Sequence, residues 1–345
     1  MIKSAVAIIG ATGAVGQELL HLIDLRGFPA SDIRVVASSR SVGRTLECGG
    51  QARRVEALES FDFSNVDIAF FSAGGAISSE WAPRAAAAGA LVIDNSNAFR
   101  MAPDVPLIVP QVNPDALRSR KGAIIANPNC STIQLVRALQ PIERLYGIKR
   151  VIVSTYQAAS GGGLSGIEEL EIDARRVLDK QSTLPARRFP TPLAFNAVPM
   201  VGDWLEGGSS LEEEKLAREA RKIMNVPGLR LTATTVRVPV RNGHSEAVFV
   251  ECRCPIEIAK VIAALRSAPE MAVYQFGDDP PYPTARFIGD PAKVHVGRIR
   301  PVADDPCALW LWVVADNLWI GAALNAIQIA ELVLTQSVVE TVHGC

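Results

Sequence analysis

The stretch that most constrains the fold is "SAVAIIGATGAVGQELLHLIDLRG", residues 4–27. A short β-prone run enters Gly10, Gly13 and Gly16, and apolar residues then recur at helical spacing. Strand, glycine turn and helix in this order open a dinucleotide-binding unit. The glycines allow a tight turn and close backbone approach, and N–H groups at the helix start can hold a pyrophosphate. The spacing is G-x-x-G-x-x-G rather than G-x-G-x-x-G, and a glycine turn can also serve packing alone.

Further β-like runs follow at "DIRVVASS", "DIAFFSA" and "ALVIDNS", separated by helical stretches such as "SSEWAPRAAAAG". Alternating strands and helices imply a parallel sheet covered on both faces. After residue 128 the character changes. "KRVIVSTYQAASGGG", "GLRLTATTVRVPV", "SEAVFVECRCP" and "ALWLWVVAD" are longer β-branched runs suited to a mixed or antiparallel sheet. "LPARRFPTPLAFNAVP" is too rich in proline for regular structure and reads as an arm or loop. At 345 residues the chain is longer than one core usually serves. The expected fold class is α/β: a Rossmann-type dinucleotide-binding domain plus an α+β domain with a mixed sheet. The first should span 1–127, completed by the C-terminal helix at about 317–345, and the second 128–316.

A net charge of −1 without a long basic block gives no footprint for nucleic acid or an anionic membrane, so a small-molecule partner is expected. The N-terminus has no signal-peptide pattern, which points to the cytoplasm. The apolar region "ALWLWVVADNLWIGAALNAIQIAELVL" is interrupted by Asp316, Asn317, Gly321, Asn325 and Glu331, and reads as a buried strand followed by a buried helix. Cysteines at 48, 130, 252, 254, 307 and 345 show no disulfide framework. Cys252 and Cys254, in an apparent strand, should point the same way; no metal site is expected.

Where an NAD-binding protein usually offers a carboxylate to the ribose, this chain reads "VVASSRSVGR". Arg40, flanked by Ser38, Ser39 and Ser41, suits a ribose phosphate and therefore NADP, although an exposed loop arginine would look the same. In "NPNCSTIQLV" an extended, Pro-braced segment becomes a helix, with Cys130 or Ser131 at the N-cap. A helix start favours thiolate, but buried unreactive cysteines are common. Far downstream, "TTVRVPVRNGHSEAV" carries Arg237 on a strand that breaks at Asn242-Gly243 and then presents His244, a candidate acid or base for a nucleophilic cysteine.

Six segments in order, "GATGAVG", "DNSNAFRMAPDVPLIVPQVNPDAL", "NPNCSTIQLV", "STYQAASGGG", "VRVPVRNGHSEAV" and "DNLWIGAALNAIQIAELV", resemble the aspartate-β-semialdehyde dehydrogenase family over nearly the whole chain. The resemblance implies NADPH-dependent reductive dephosphorylation of L-aspartyl 4-phosphate to L-aspartate 4-semialdehyde, on the path to lysine, diaminopimelate, methionine, threonine and isoleucine. It also implies a cytoplasmic homodimer. By resemblance Cys130 is the nucleophile, Gln157 positions the acyl intermediate and His244 is the acid/base, with Asn129 assisting the oxyanion. Arg237 anchors the substrate carboxylate, Arg100 and Lys215 bind phosphate, and Glu212 meets the amino group. Gly10, Thr12, Gly13, Ala14, Val15, Gly16, Ser38, Arg40, Ser41, Ser160, Gly161 and Asn317 fall at cofactor-binding positions.

The residues themselves allow plainer readings. Ser209 and Glu212 could form a helix capping box, with Glu212 and Lys215 an ordinary surface ion pair. Arg100 could pair with Asp104. Trp319 and Ile320 stand where the family commonly has a basic residue, so a charge contact from that turn is in doubt. Two rival functions share the plan: N-acetyl-glutamyl-phosphate reductase, and a non-catalytic NADP-binding scaffold.

Overall fold

The computed structural model describes residues 3–182 and 185–343, so Leu184 and Cys345 lie outside the described residues. Two compact units result: Met1–Asn129 with Ala322–Cys345, and Cys130–Gly321. The breaks fall two residues after 127 and five after 316. Asn127 still extends the first sheet through its N–H to Asp94 O, whereas Asn317 bonds to Ser160 and Gly243 inside the second unit.

The first unit opens with β1 (Ser4–Ile9), α1 (Ala14–Leu25) and β2 (Ala30–Ala37). A hairpin, β3 (Thr45–Cys48) and β4 (Gln51–Arg54), precedes β5 (Glu56–Ala57), β6 (Ile68–Phe71), α2 (Gly75–Ala87), β7 (Leu91–Asp94) and β8 (Ile124–Ala126). Six strands form one sheet in the order β5-β2-β1-β6-β7-β8, and every pairing is parallel. Ile8, Ile9, Ile68, Phe70, Phe71 and Ile93 are all fully buried. Such continuous apolar strands are what a sheet covered on both faces requires.

The second unit runs through α3 (Cys130–Tyr146), β9 (Ile148–Gln157), α4 (Leu164–Leu178), α5 (Leu211–Met224), β10 (Arg230–Arg237) and β11 (His244–Cys252). It continues with α6 (Ile258–Ser267), β12 (Met271–Val273), β13 (Val294–Val302) and β14 (Asp305–Ala315). The sheet order is β10-β9-β11-β14-β13-β12. Its outer pairs are parallel and its central ones antiparallel, a mixed sheet. One face packs on α3, α5 and α6. The other carries Ile152, Tyr156, Phe249, Trp310 and Trp312, with Tyr156 against Trp312 and Phe249 against Trp310 at ring-centroid distances of 5.4 and 5.3 Å.

From Pro185 onward the described residues of the Pro-rich segment form no helix or strand, but the segment is not a free arm: Phe189, Leu193 and Val198 form a small core with Ala159 and Leu170. The strand β11 ends at Cys252, so Cys252 is buried while Cys254 lies beyond it and is exposed; the two do not point together. The described cysteines are all free, and among the described residues no cluster could hold a metal ion.

A π-type turn, Trp319–Ala323, leads into α7 (Leu324–His343), which returns to the first unit. There Arg26 of α1 makes a two-pronged ion pair to Glu331, at 2.9 and 2.7 Å, and Asn325 Nδ2 donates to Ile108 O and to Asn127 Oδ1. Ile320 is buried, an apolar core position rather than a charged contact. No helix among the described residues is long and apolar enough to cross a membrane.

Candidate active site

The glycine turn is built as a cradle. Gly10 has φ +88°, and a Cβ on Gly16 would stand 2.3 Å from Gly10 O and 2.6 Å from Ala11 Cα, so glycine is required for the helix to begin this close to the strand. Gly13 caps α1 in extended conformation with no side-chain cap bond, and the first turn, from Ala14 through Val15 and Gly16, has no acidic residue. Thr12 leads into it, its carbonyl accepting from Gln17 Nε2. A helix start without a side-chain cap, following a parallel strand, fits a dinucleotide pyrophosphate. At the end of β2 a single 3₁₀ turn, Ser39–Ser41, follows Ser38 and carries Arg40 exposed. The nearest strand acid, Glu56 opposite Val36, is engaged by Arg34 at 2.9 and 2.5 Å. No free carboxylate is therefore offered by that pair to a ribose.

Arg100 also lies in the first unit, held by backbone: its Nε donates to Asn127 O (2.9 Å) and Nη2 to Asn95 O (2.8 Å). Asp104, the alternative partner, pairs instead with Lys121 at 2.7 Å.

The second unit holds most of the remaining candidates. Cys130 is the first helical residue of α3, one position further into the helix than an N-cap, and it is half-buried. Asn129 before it is buried. The first turn of α3 has no acid, so nothing there opposes the dipole that favours a thiolate. Gly321 seals the other side: a Cβ there would fall 2.6 Å from Cys130 Cβ.

His244 begins β11 fully buried, and its Nδ1 accepts the N–H of Ala158 at 3.0 Å. The carbonyl of the same Ala158 accepts from Arg237 Nη1 at 2.8 Å, so one peptide residue aims both side chains. Gly161 lies over them, where a Cβ would stand 2.5 Å from Arg237 Nη1 and 3.4 Å from His244 Nε2. That Nε2 is buried and has no hydrogen-bond partner. Since Nδ1 is an acceptor, the neutral ring carries its proton on Nε2. Burial, and after it the Arg237 charge, hold His244 well below the ordinary imidazole value. Arg237 is itself lowered by burial, and the charges of Cys130 and Glu212 act in the opposite sense, which places both within its electrostatic reach.

Glu212, on α5, is buried. Its Oε1 accepts from Gln157 Nε2 at 3.4 Å and its Oε2 from Lys215 Nζ at 3.2 Å. The capping box of α5 is not Ser209 with Glu212 but Ser210 with Glu213, whose side chains and backbone N–H groups bond reciprocally. The one-residue shift matters. It assigns capping to Glu213 and turns Glu212 toward Gln157. Ser160, Asn242 and Asn317 form one network: Ser160 Oγ lies 2.9 Å from Asn242 Oδ1 and 3.0 Å from Asn317 Oδ1, and Gly243 N–H donates to Asn317 Oδ1. Asn242 in turn donates to Asp316.

The second unit thus brings together Cys130, Gln157, Glu212, Lys215 and Arg237, with His244 and Gly161 beside Arg237. Sequence reasoning missed Ala158, which acts through its backbone, and Gly321, whose signal is a lone glycine after Trp319 and Ile320.

A parallel dinucleotide-type sheet joined to a unit that gathers a helix-start thiol, an imidazole and a buried guanidinium defines an oxidoreductase of the semialdehyde dehydrogenase class. Residues 5–120 match the semialdehyde dehydrogenase NAD binding domain, and 139–320 the semialdehyde dehydrogenase dimerisation domain. The aspartate-semialdehyde dehydrogenase of Aquifex aeolicus is 45% identical over 336 residues, 97% of this chain and 99% of that protein. The crystal structure of aspartate semialdehyde dehydrogenase II from Vibrio cholerae, complexed with ASA, superposes with a TM-score of 0.94 at 44% identity, covering 97% of this chain and 99% of that one. The Candida albicans enzyme, solved with NADP, gives 0.73 at 26% identity over 96% and 98%. The chain belongs to the aspartate-semialdehyde dehydrogenase family, and its first unit is an NAD(P)-binding domain.

Proposed function

We propose that this chain reduces L-aspartyl 4-phosphate to L-aspartate 4-semialdehyde with NADPH and release of phosphate, in the biosynthesis of lysine, diaminopimelate, methionine, threonine and isoleucine. It does so as a cytoplasmic homodimer. The observation that carries the reading is the gathering of Cys130, Gln157, Glu212 and Arg237 from four separate elements of the second unit.

Cys130, as thiolate at the start of α3, attacks the acyl phosphate, and phosphate leaves to give a thioester. Asn129 and backbone N–H groups hold the oxyanion of the tetrahedral adduct. Arg237 grips the substrate carboxylate, and Glu212 meets its ammonium; Arg100 and Lys215 bind the phosphate. Gln157 positions the acyl group. Bound NADPH supplies the hydride. His244 works through Nε2–H: it pairs with the Cys130 thiolate, and once the hydride has been delivered the thiohemiacetal oxyanion collapses to the aldehyde carbonyl as the C–S bond breaks, the departing thiolate being received again by Nε2–H. Taking the thiol proton onto Nε2 instead would require a proton on Nδ1 and loss of the Ala158 bond. A buried carboxylate such as Glu212 suits a free ammonium and not an acylated amine, which favours the aspartate substrate over its N-acetylated relative.

Arg40 with Ser38, Ser39 and Ser41 supports NADP over NAD. Gly10, Thr12, Gly13, Ala14, Val15 and Gly16 serve the pyrophosphate; Ser160, Gly161 and Asn317 serve the nicotinamide end. The aromatic outer face of the mixed sheet supports the homodimer, since a sheet face of this kind needs a cover.

The test is phosphate-dependent reduction of NADP by aspartate semialdehyde, run beside N-acetylglutamate semialdehyde. Wild-type protein should turn over only the first, and Cys130→Ala should abolish the reaction. Activity retained by Cys130→Ala would overturn the assignment.

A further inference from the structure

The ladder between β11 and β14 stops at its last pair, His244 opposite Ala315. Beyond it the chain turns, at Gly243 with φ +91° on one side and after Ala315 on the other, and side chains take over the bonding. Asp316 is buried there and collects N–H groups from both sides. Its Oδ1 accepts from Leu318 N (2.9 Å) and Trp319 N (3.0 Å), and its Oδ2 accepts from Asn242 Nδ2 at 2.7 Å. Its backbone carbonyl accepts from Gly321 N at 3.2 Å. The proposed chemistry uses neither Asp316 nor Asn242.

A carboxylate accepts only, so it decides the orientation of the Asn242 amide: Nδ2 toward Asp316 and Oδ1 toward Ser160. The Ser160 hydroxyl then lies as donor between two acceptors, Asn242 Oδ1 at 2.9 Å and Asn317 Oδ1 at 3.0 Å. Asn317 Oδ1 also accepts from Gly243 N at 2.9 Å. Burial raises the Asp316 carboxyl, and its three N–H donors act the other way, toward the ionised form. Bonds to an ionised acceptor are shorter and stronger than those between neutral groups.

What the network holds gives it a function. One arm is Asn242-Gly243-His244, which places Asn242 two residues before the imidazole. The other is the turn from Asp316 to Gly321, where a Cβ on Gly321 would fall 2.6 Å from Cys130 Cβ and 3.0 Å from its Cα. Asp316 is bonded directly to both arms, to the first by its side chain and to the second by side chain and carbonyl. The spacing of thiol and imidazole therefore passes through this carboxylate.

We propose that Asp316, acting through Asn242, is a positioning residue: it fixes the turn that walls Cys130 against the arm that presents His244, and so sets the imidazole relative to the thiolate. The inference rests on Cys130 being the nucleophile, which wild-type activity and Cys130→Ala decide on their own.

The test compares Asn242→Leu, Asn242→Asp and the exchanged pair Asp316→Asn/Asn242→Asp with wild type, reading kcat, KM for aspartate semialdehyde, the pH midpoint of Cys130 labelling by a thiol reagent, and Tm. Asn242→Leu removes the amide at similar volume, and Asn242→Asp sets two carboxylates at a contact of 2.7 Å. Each should lose about tenfold or more in kcat, with the labelling midpoint displaced upward as the thiolate loses its Nε2–H partner. KM should change less than about threefold, because Arg237 is held through Ala158 instead. The exchanged pair restores one donor and one acceptor at the contact and keeps acceptors for Leu318, Trp319 and Ser160, so it should return to within about threefold of wild-type kcat. If Asn242→Asp does not fold, Asn242→Leu carries the test. Folded single variants with wild-type kcat and labelling midpoint would overturn the proposal, as would an exchanged pair that folds yet is as impaired as they are.

Discussion

Ala158 aims two of the side chains on which the proposed chemistry depends, through its N–H to His244 and its carbonyl to Arg237, while its methyl group takes no part. Gly161 makes room for the result. In Gly161→Ala the new Cβ would stand 2.5 Å from Arg237 Nη1, so the buried guanidinium must shift and strain its bond to Ala158 O. The fold should survive with a lowered Tm, while KM for aspartate semialdehyde rises about tenfold in steady-state assays. Cys130, His244 and Arg237 were legible as candidates in the sequence because each is a reactive type at a strand or helix boundary. Ala158 was not, because a backbone group leaves no mark on residue identity. The plainer capping reading of Ser209 with Glu212 fails for a different reason. "GGSSLEEEKL" offers two serines in a row and three glutamates in a row, and only the structure decides which pair closes the cap.

That choice belongs to the element. Because Ser210 and Glu213 cap α5, loss of the cap can be separated from loss of the site. Ser210→Ala should lower stability by about 1 kcal/mol, measured by denaturant unfolding, while KM changes little because Glu212 keeps Gln157 and Lys215. Strand β11 carries a pH consequence. Glu246 is raised in the folded protein, so above the ordinary carboxyl value of about 4.5 the unfolded chain releases a proton that the folded one retains. Stability therefore falls as pH rises from that value toward the folded one. Glu246→Gln removes this linkage. The Tm difference between Glu246→Gln and wild type should move in favour of the variant between pH 5 and 8, and a difference independent of pH would contradict it. The strands and helices were largely readable from periodicity. The end of β11 was not: alternation continues through Cys254 in the sequence, while the pairing stops at Cys252.

At the scale of the molecule the mixed sheet leaves one face without helices. Ile152 is 41% exposed, beside Tyr156 and the paired aromatics Phe249 and Trp310. If a second copy covers this face, Ile152→Asp should shift light-scattering mass from dimer toward monomer and expose tryptophan fluorescence to quenching, whereas an unchanged mass would place the interface elsewhere. Two-domain organisation was readable from the change of strand character near Cys130. The point of return was less so, since Asp316 and Asn317 look like the start of the helical segment yet bond within the second unit.

The first unit is assembled from both ends of the polypeptide, with Leu324, Ile327 and Ile329 of α7 buried in it and Glu331 clasping Arg26. During synthesis residues 130–321 emerge between its strands and the helix that completes them. Cofactor affinity should accordingly arise only once the helix beginning at Leu324 has emerged, and a ribosome stalled before Ala322 should display a nascent chain that cannot yet retain the dinucleotide.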